Sequence, residues 1–200
     1  MSLLLTNKSS VIGIRKITEP WQDILKCFQS KPYGIDEIKS DKRKQEWLSV
    51  RSLLQQITGS ETCIIYKENG TPVLKNSNYN ISISHTIGYV AIILSENPNP
   101  GIDIEYHSGR AWKLRKKFLS EKELEMFSGE QNATLCWCAK ETAFKALQQT
   151  NVDFIEHLHI EPFTVSDKGI LKLKETKTPQ QQTFYIDYQI NENYIIAWKE

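Results

Sequence analysis

Two short stretches with different hydrophobic periods stand out along this chain. The stretch GIDIE alternates apolar and acidic residues, which predicts a β-strand with Asp103 and Glu105 on one face, about 7 Å apart. The stretch WCAKETAFK has helical periodicity and places Trp137, Glu141 and Lys145 at steps of four along one stripe. If this strand and helix pack together, three carboxylates and an amine converge, which is an arrangement suited to a divalent metal ion.

Each stretch also has an ordinary structural interpretation. Acidic residues that alternate on a strand often do no more than face water. A Glu–Lys pair four residues apart is commonly a surface pair worth a few tenths of a kcal/mol. The combination and order of the two stretches favour a site, and so does a third stretch, ISISHT, whose His85 comes where a predicted strand ends.

Patterning along the rest of the chain predicts an α+β protein made of two similar α/β halves in a pseudo-twofold arrangement. Each half is expected to contain a long helix, then strands, then a closing hairpin. The boundary falls in the proline-containing loop at 95–100, which gives an amino-terminal half (1–98) and a carboxyl-terminal half (99–200) that carries the metal site, with the active site at their interface. The predicted long helices are 39–57 and 133–149, and the predicted hairpins pair 80–85 with 89–94 and 183–190 with 194–198.

Composition argues against a nucleic-acid-binding protein, a membrane protein and a zinc protein. The 200 residues are 40% hydrophobic and 24% charged, with a net charge of +1, so nucleic acid is not expected as the main partner. No apolar run approaches the roughly 18 residues of a membrane span, and no signal peptide is apparent in Leu3–Lys8. The four cysteines show no zinc spacing, and we expect a reduced, cytoplasmic protein.

At this point the chain resembles the 4'-phosphopantetheinyl transferases, in particular the two-lobed branch that includes the surfactin-synthetase activator. The resemblance runs in order over about residues 40–165. NGTPVL is similar to the family's Gly-x-Pro segment, SISHT to its Asn-Ile-Ser-His-Ser strand, and KKFLSEKEL to its basic-aromatic run before a helix start. GIDIE matches the family's metal strand, and WCAKETAFK matches Trp-x-x-Lys-Glu-x-x-x-Lys.

The resemblance implies a reaction and its main residues. The 4'-phosphopantetheine arm of coenzyme A would be transferred to a serine of an apo carrier protein, with release of adenosine 3',5'-bisphosphate. Asp103 and Glu141 would bind Mg²⁺, and Glu105 would bind it directly or through water. Glu141, or a water held by the metal, would take the serine proton, and Lys145 would serve the α-phosphate oxygen. Lys140 would steady the phosphate or the nearby carboxylates.

The resemblance also implies residues for coenzyme A and for the carrier. His85 would contact the 3'-phosphate, and Arg51, with Lys42 and Arg43, would grip the 3'-phosphate and adenine end. Ser84 and Thr86 would belong to the same pocket wall, while Gly70 and Pro72 would shape the loop around the adenine. The carrier is expected near a basic-aromatic run, which consists of Lys113, Arg115, Lys116, Lys117 and Phe118.

Two departures from the family pattern leave alternatives open. Ser82 replaces the usual asparagine, and residues 148–152 lack the Gly-x-Gly-Leu that often follows the lysine. A non-catalytic relative that binds coenzyme A or a carrier is therefore one alternative, and a Mg²⁺-dependent nuclease, disfavoured by the near-neutral charge, is another. The carrier could belong to a fatty-acid, polyketide or peptide pathway. Because one chain carries both halves, we expect a monomer.

Overall fold

The computed structural model describes residues 2–6 by their backbone alone and residues 9–200 with their side chains. The expectation that no signal peptide is present rests partly on Asn7 and Lys8, which lie outside the described residues. Within these ranges, none of the helices combines the length and the apolar character that crossing a membrane would require. The chain divides into two compact units, Met1–Pro98 and Asn99–Glu200, and each is described here by itself.

The first unit consists of a four-stranded antiparallel sheet, a separate two-stranded hairpin and two helices. Its elements are β1 (Ser2–Thr6), β2 (Ser10–Lys16), α1 (Trp21–Leu25), α2 (Asp41–Thr58), β3 (Ile64–Tyr66), β4 (Pro72–Leu74), β5 (Asn80–Thr86) and β6 (Tyr89–Ser95). The sheet has the order β1–β2–β6–β5, and β3 pairs with β4. Helix α2 begins after Ser40, whose hydroxyl accepts a hydrogen bond from the Arg43 N–H, and its Leu53 and Leu54 pack on the buried face of the sheet.

The second unit consists of a five-stranded antiparallel sheet and one long helix that lies across it. Its elements are β7 (Gly101–Tyr106), α3 (Arg110–Leu114), α4 (Glu121–Met126), α5 (Glu130–Leu147), β8 (Leu158–Ile160), β9 (Lys168–Glu175), β10 (Thr183–Ile190) and β11 (Tyr194–Lys199). The strand order is β7–β11–β10–β9–β8. Leu135, Ala139 and Ala143 of α5 belong to the core cluster of this unit, so the helix buries its small-residue side against the sheet.

The observed elements confirm the α+β class and most of the expected segments. Both long helices are present, each of 18 residues, within a few residues of the predicted bounds. Both hairpins pair as expected, β5 with β6 and β10 with β11. The short segments β1, β4 and α3 were not predicted, because three to five residues are too few to show a clear period. The pseudo-twofold arrangement of the halves stays a prediction.

In the segment after α5, residues other than glycine adopt the backbone conformation that caps the helix. Gln148, which ends the helix, has a φ of 53°, and Asn151 has a φ of 55°. Both values lie in the left-handed region that glycine usually occupies at a helix end. The chain therefore makes a left-handed helix cap at this place, with side chains on residues where the family pattern has none.

Helix α5 approaches the sheet closely at Gly101, the first residue of β7. A Cβ atom at this position would lie 2.2 Å from the carbonyl oxygen of Thr142 in α5. Two hydrogen bonds join α5 to the sheet beside this point: the Thr142 hydroxyl donates to the Ala197 carbonyl on β11 at 3.0 Å, and the Cys138 thiol donates to the Asp103 carbonyl on β7 at 3.2 Å. The helix backbone thus lies directly on the sheet, and these three contacts fix its position over β7 and β11.

We expect Gly101→Ala to lower the free energy of unfolding by about 1–3 kcal/mol, because the added methyl group meets a rigid backbone carbonyl. Urea unfolding followed by circular dichroism measures this difference. Gly13→Ala in β2 is the matched control: its methyl group would contact the flexible ends of the Ile57 and Leu53 side chains, so a smaller loss is expected. An equal or larger loss in the control would contradict the interpretation.

Candidate functional site

Asp103 lies on β7 with its side chain turned toward α5. The residue is 4% exposed, and its Oδ1 accepts a hydrogen bond from the Lys145 amine at 2.8 Å. The same amine donates to the Ile102 carbonyl at 2.9 Å. The structure therefore brings together the predicted metal ligand and the predicted phosphate-binding lysine. In this arrangement they form a partly buried ion pair, and Lys145 acts as the counter-ion of Asp103.

Glu105 lies two residues further along the strand and meets the other end of the helical stripe. Its Oε1 accepts a hydrogen bond from the Trp137 indole N–H at 3.0 Å. The Trp137 ring packs against two other aromatic rings, with centroid distances of 4.9 Å to Phe118 and 5.6 Å to Phe154. The sequence pattern placed Trp137 on the stripe and assigned it no role. Its spacing of four and eight residues from Glu141 and Lys145 was the available signal.

Glu141 lies between Trp137 and Lys145 on the same stripe of α5. Burial raises its pKa, and so do the Asp103 and Glu105 carboxylates, while Lys145 acts in the opposite direction; the resulting pKa is about 7. This shift has a simple physical cause, since three carboxylates share a poorly solvated region with one ammonium group. A carboxyl group with a pKa near neutrality exchanges protons readily at physiological pH.

Asp103, Glu105 and Glu141 offer negatively charged oxygen ligands, which is the type of ligand that a magnesium ion takes. Mg²⁺ takes oxygen ligands and is usually held by one or two carboxylates together with water and substrate phosphate. Among residues 9–200, no three His, Cys, Asp or Glu side chains are arranged around one point as a complete set of metal ligands. Instead, Asp103 and Glu105 face the Lys145 amine and the Trp137 indole. A divalent cation would relieve the carboxylate repulsion that raises the Glu141 pKa.

Lys140 directly precedes Glu141 and lies on a different side of α5. Its side chain is 0% exposed and pairs at 2.7 Å with Glu123, whose side chain is 3% exposed. Its amine also donates to the carbonyls of Phe118 and Phe154. Because protein oxygens accept all three hydrogen bonds of this amine, Lys140 is not among the residues that we assign to coenzyme A.

The predicted phosphate-binding residues of the first unit gather around a buried carboxylate, Glu46 in α2. His85 Nε2 lies 3.0 Å from a guanidinium nitrogen of Arg43, and His85 Nδ1 lies 3.8 Å from Glu46 Oε2. Because a guanidinium only donates, Nε2 is the acceptor and the ring proton is on Nδ1, toward Glu46. The Lys42 amine lies 3.9 Å from Glu46 Oε1. Sequence reasoning missed Glu46, although its position four residues after Lys42 was a signal.

Arg51 belongs to the same helix but has different partners. Its guanidinium carbon lies 3.2 Å from the centroid of the Trp47 ring, and the guanidinium also donates a hydrogen bond to the Trp47 carbonyl at 3.3 Å. Eight residues separate it from Arg43, which is about 12 Å along a helix axis. Burial lowers the Arg51 pKa to about 10, so the group stays charged at neutral pH. The structure thus separates Arg51 from the cluster around Glu46.

The remaining predicted contacts of coenzyme A lie on strand β5 and on the hairpin β3–β4. Gly70, with a φ of 81°, closes the hairpin turn by donating its N–H to the Lys67 carbonyl, and Pro72 begins β4. Thr86 is half-buried at the end of β5, whereas Ser84 is only 6% exposed. Of the residues on β5, His85 and Thr86 are therefore better placed for a ligand than Ser84.

The basic run proposed for the carrier divides into exposed and buried residues. Lys113, Lys116 and Lys117 are exposed on α3 and the short 3-10 turn that follows it. Arg115 stacks on Trp112, with its guanidinium carbon 3.7 Å from the ring centroid. Phe118 is 1% exposed and belongs to the core of the unit, so it does not form part of a docking surface.

Comparison with known proteins bears mainly on the second unit. A family model described as the 4'-phosphopantetheinyl transferase superfamily matches residues 99–199. A Haemophilus influenzae protein named "Putative 4'-phosphopantetheinyl transferase" is 26% identical over 149 residues, which cover 68% of this chain and 55% of that protein. The chain thus spans about half the length of the curated relative it matches. The segment matched by the family model includes β7 and α5. It therefore contains Asp103, Glu105, Glu141 and Lys145, the four candidate site residues on these two elements.

We expect Glu141→Gln to stabilise the metal-free protein at alkaline pH. In the folded state the Glu141 pKa is about 7 against an ordinary value of 4.5, so the folded protein holds this proton more tightly than the unfolded chain. The stability contribution of this group therefore falls as pH rises from about 4.5 to 7 and stays low above that range. The neutral amide removes this penalty, which predicts a gain of about 1–3 kcal/mol at pH 8 and none near pH 4.5.

Urea unfolding at both pH values, with a chelator present, measures this difference. Glu125→Gln in α4 is the matched control, since that carboxylate is exposed; it should change little at either pH. A Glu141→Gln variant less stable than the wild type at pH 8 would show that the carboxylate is better accommodated than its surroundings indicate.

Proposed function

This chain belongs to the 4'-phosphopantetheinyl transferase superfamily, and we propose that it transfers the 4'-phosphopantetheine arm of coenzyme A to a serine hydroxyl of an apo carrier protein. The serine oxygen forms a bond to the β-phosphorus of the coenzyme A pyrophosphate. The bond from that phosphorus to the bridging oxygen breaks, and adenosine 3',5'-bisphosphate leaves. The observation that carries the proposal is the meeting of Asp103, Glu105, Glu141 and Lys145 between β7 and α5, within the segment that the family model matches.

The reaction needs negative charge to be neutralised and one proton to be removed. In our proposal Asp103 and Glu141 would hold Mg²⁺, with Glu105 holding it directly or through water. When bound, the ion supplies neutralising charge at the pyrophosphate. Glu141 accepts the serine proton, a task for which a pKa near 7 is suited. The Lys145 amine, 2.8 Å from Asp103, stabilises the α-phosphate oxygen as negative charge develops on it.

The adenosine end of coenzyme A is assigned to residues of the first unit. We assign the 3'-phosphate to His85, Arg43 and Lys42, because three nitrogen-bearing side chains gather there around Glu46. Arg51, stacked on Trp47, is assigned to the adenine end with Gly70 and Pro72. Thr86 lies on the same strand as His85, while the burial of Ser84 leaves it a supporting place in the pocket wall.

The partner proposed for this reaction is a carrier protein with an acidic surface beside its serine. Lys113, Lys116 and Lys117 are exposed on α3 and the 3-10 turn that follows it, and they would supply complementary positive charge. A relative that binds coenzyme A or a carrier without catalysis is the alternative, and it predicts binding without transfer. Gln148 and Asn151 adopt left-handed conformations, so the end of α5 is capped without the family's glycines, while the carrier that this segment would meet stays undetermined.

The proposal predicts a gain in the mass of an apo carrier protein equal to one phosphopantetheine group. Incubation with coenzyme A, Mg²⁺ and a panel of fatty-acid, polyketide and peptide carriers, followed by intact-mass spectrometry, measures this gain. Asp103→Ala and Glu141→Ala are expected to abolish transfer while circular dichroism shows an intact fold. Glu125→Ala serves as the exposed acidic control and should remain active. Full activity of Glu141→Ala would refute the assigned base, and no mass gain on any carrier would refute the enzyme.

A second prediction separates the 3'-phosphate from the rest of coenzyme A. His85→Ala and Arg43→Ala should raise the KM for coenzyme A by roughly 10- to 100-fold, because each removes a hydrogen bond to a charged group. The same variants should leave the KM for dephospho-coenzyme A, which lacks the 3'-phosphate, close to that of the wild type. Lys75→Ala, at an exposed lysine of the same unit, is the control. Equal losses with both substrates would place the 3'-phosphate elsewhere.

A further inference from the structure

A lysine ammonium lies completely inside the second unit and is fully hydrogen-bonded there. The Lys140 amine donates to Glu123 Oε2 at 2.7 Å, to the Phe118 carbonyl at 2.8 Å and to the Phe154 carbonyl at 2.9 Å. These are three donors and three acceptors, so every proton of the ammonium group is used. A buried charge is tolerated only when it is paired and hydrogen-bonded in this way.

The paired carboxylate joins further segments to the same point. Glu123 Oε2 also accepts from the backbone N–H of Ser120 at 2.8 Å, and Glu123 Oε1 accepts from the Ile160 N–H at 2.9 Å. The first of these contacts is half of the capping box that begins α4, and the second reaches strand β8. Lys140 and Glu123 together therefore connect α4, α5, β8 and the segments that contain Phe118 and Phe154.

The two carbonyls that accept from Lys140 belong to Phe118 and Phe154, whose rings both pack against Trp137. The Phe118 ring meets Trp137 edge-on at 4.9 Å, and the Phe154 ring packs at 5.6 Å on the same indole. The Lys140 amine thus hydrogen-bonds to the backbone of both phenylalanines that contact Trp137. The same indole donates its N–H to Glu105 at 3.0 Å. Contacts therefore connect the buried Lys140–Glu123 pair to the two phenylalanines, the phenylalanine rings to the Trp137 indole, and the indole to the Glu105 carboxylate of the candidate site.

We propose that Lys140, paired with Glu123, is a positioning residue: it fixes the two phenylalanine rings that pack against Trp137 and thereby the orientation in which the indole holds the Glu105 carboxylate. The proposal rests on the proposed function for its effect on transfer, while its structural part stands independently. The family resemblance implied that Lys140 steadies the phosphate or the nearby carboxylates; this proposal replaces the first role and gives the second a specific route, through Trp137 to Glu105. A lysine whose side chain is 0% exposed and whose amine has three protein acceptors acts through its neighbours.

The test uses the double variant Lys140→Met with Glu123→Gln, which removes both charges and so leaves no unpaired buried ion. The first measurement is the indole ¹H–¹⁵N resonance of Trp137, identified by its loss in Trp137→Phe. We expect this proton resonance to move upfield in the double variant, as a hydrogen bond to a carboxylate weakens. The control is Lys122→Met with Glu125→Gln, two exposed residues of α4, in which the resonance should not move.

The second measurement is transfer kinetics with coenzyme A, Mg²⁺ and an accepted carrier. The double variant should lose roughly 10- to 100-fold in kcat or in apparent Mg²⁺ affinity, the usual effect of losing an outer support of a metal ligand, with the KM for coenzyme A little changed. A raised KM with unchanged kcat would instead indicate a direct contact with substrate and would overturn the proposal. If the double variant does not fold, Lys140→Arg, which keeps the charge and changes its length, gives the same two readouts.

The two measurements separate failure of this inference from failure of the proposed function. An unmoved Trp137 resonance in a folded variant overturns the positioning role whether or not the protein transfers phosphopantetheine. A moved resonance in a protein that modifies no carrier supports the positioning role and counts against the transferase. Loss of kcat with an unmoved resonance also overturns the inference, since the effect would then not pass through Trp137.

Discussion

The contact between strand β7 and helix α5 is the constraint on which the rest of the second unit depends. Gly101 lets the Thr142 carbonyl lie where a Cβ atom would be only 2.2 Å away, and the Cys138 thiol and Thr142 hydroxyl bond to sheet carbonyls beside it. Once the helix is placed at this register, Lys145 faces Asp103 and Trp137 faces Glu105. The glycine at the start of the acidic strand is therefore as important to the site as the carboxylates that follow it.

The contact between β7 and α5 also brings three carboxylates into a poorly solvated region, where their mutual repulsion is unfavourable. Burial and two neighbouring carboxylates raise the pKa of Glu141 to about 7, and one ammonium group, Lys145, opposes them. Such local conflict in an otherwise consistent structure is typical of functional sites. A divalent cation and a phosphate would resolve it, because the cation balances the carboxylates and the phosphate offers Lys145 another partner.

Adjacent residues of α5 show how one helix serves two purposes. Successive residues of a helix are rotated by about 100°, so Lys140 and Glu141 leave the axis in different directions. Lys140 enters the interior and holds the segments of Phe118 and Phe154, whereas Glu141 stays on the stripe with Trp137 and Lys145. One short motif thus contributes both the residues of the candidate site and a lysine of a buried ion pair.

Hydrophobic period alone determined the acidic strand, the two long helices, both closing hairpins and the stripe of Trp137, Glu141 and Lys145, because a period is a local property of consecutive residues. The conformation of Gln148, the stacking of Arg51 on Trp47 and the burial of Phe118 and Lys140 were decided by the tertiary structure. A charged or aromatic side chain has the same local pattern whether it faces water or the core. Its environment is supplied by residues distant in sequence, as Glu123 and Phe154 are for Lys140, and only folding brings them together.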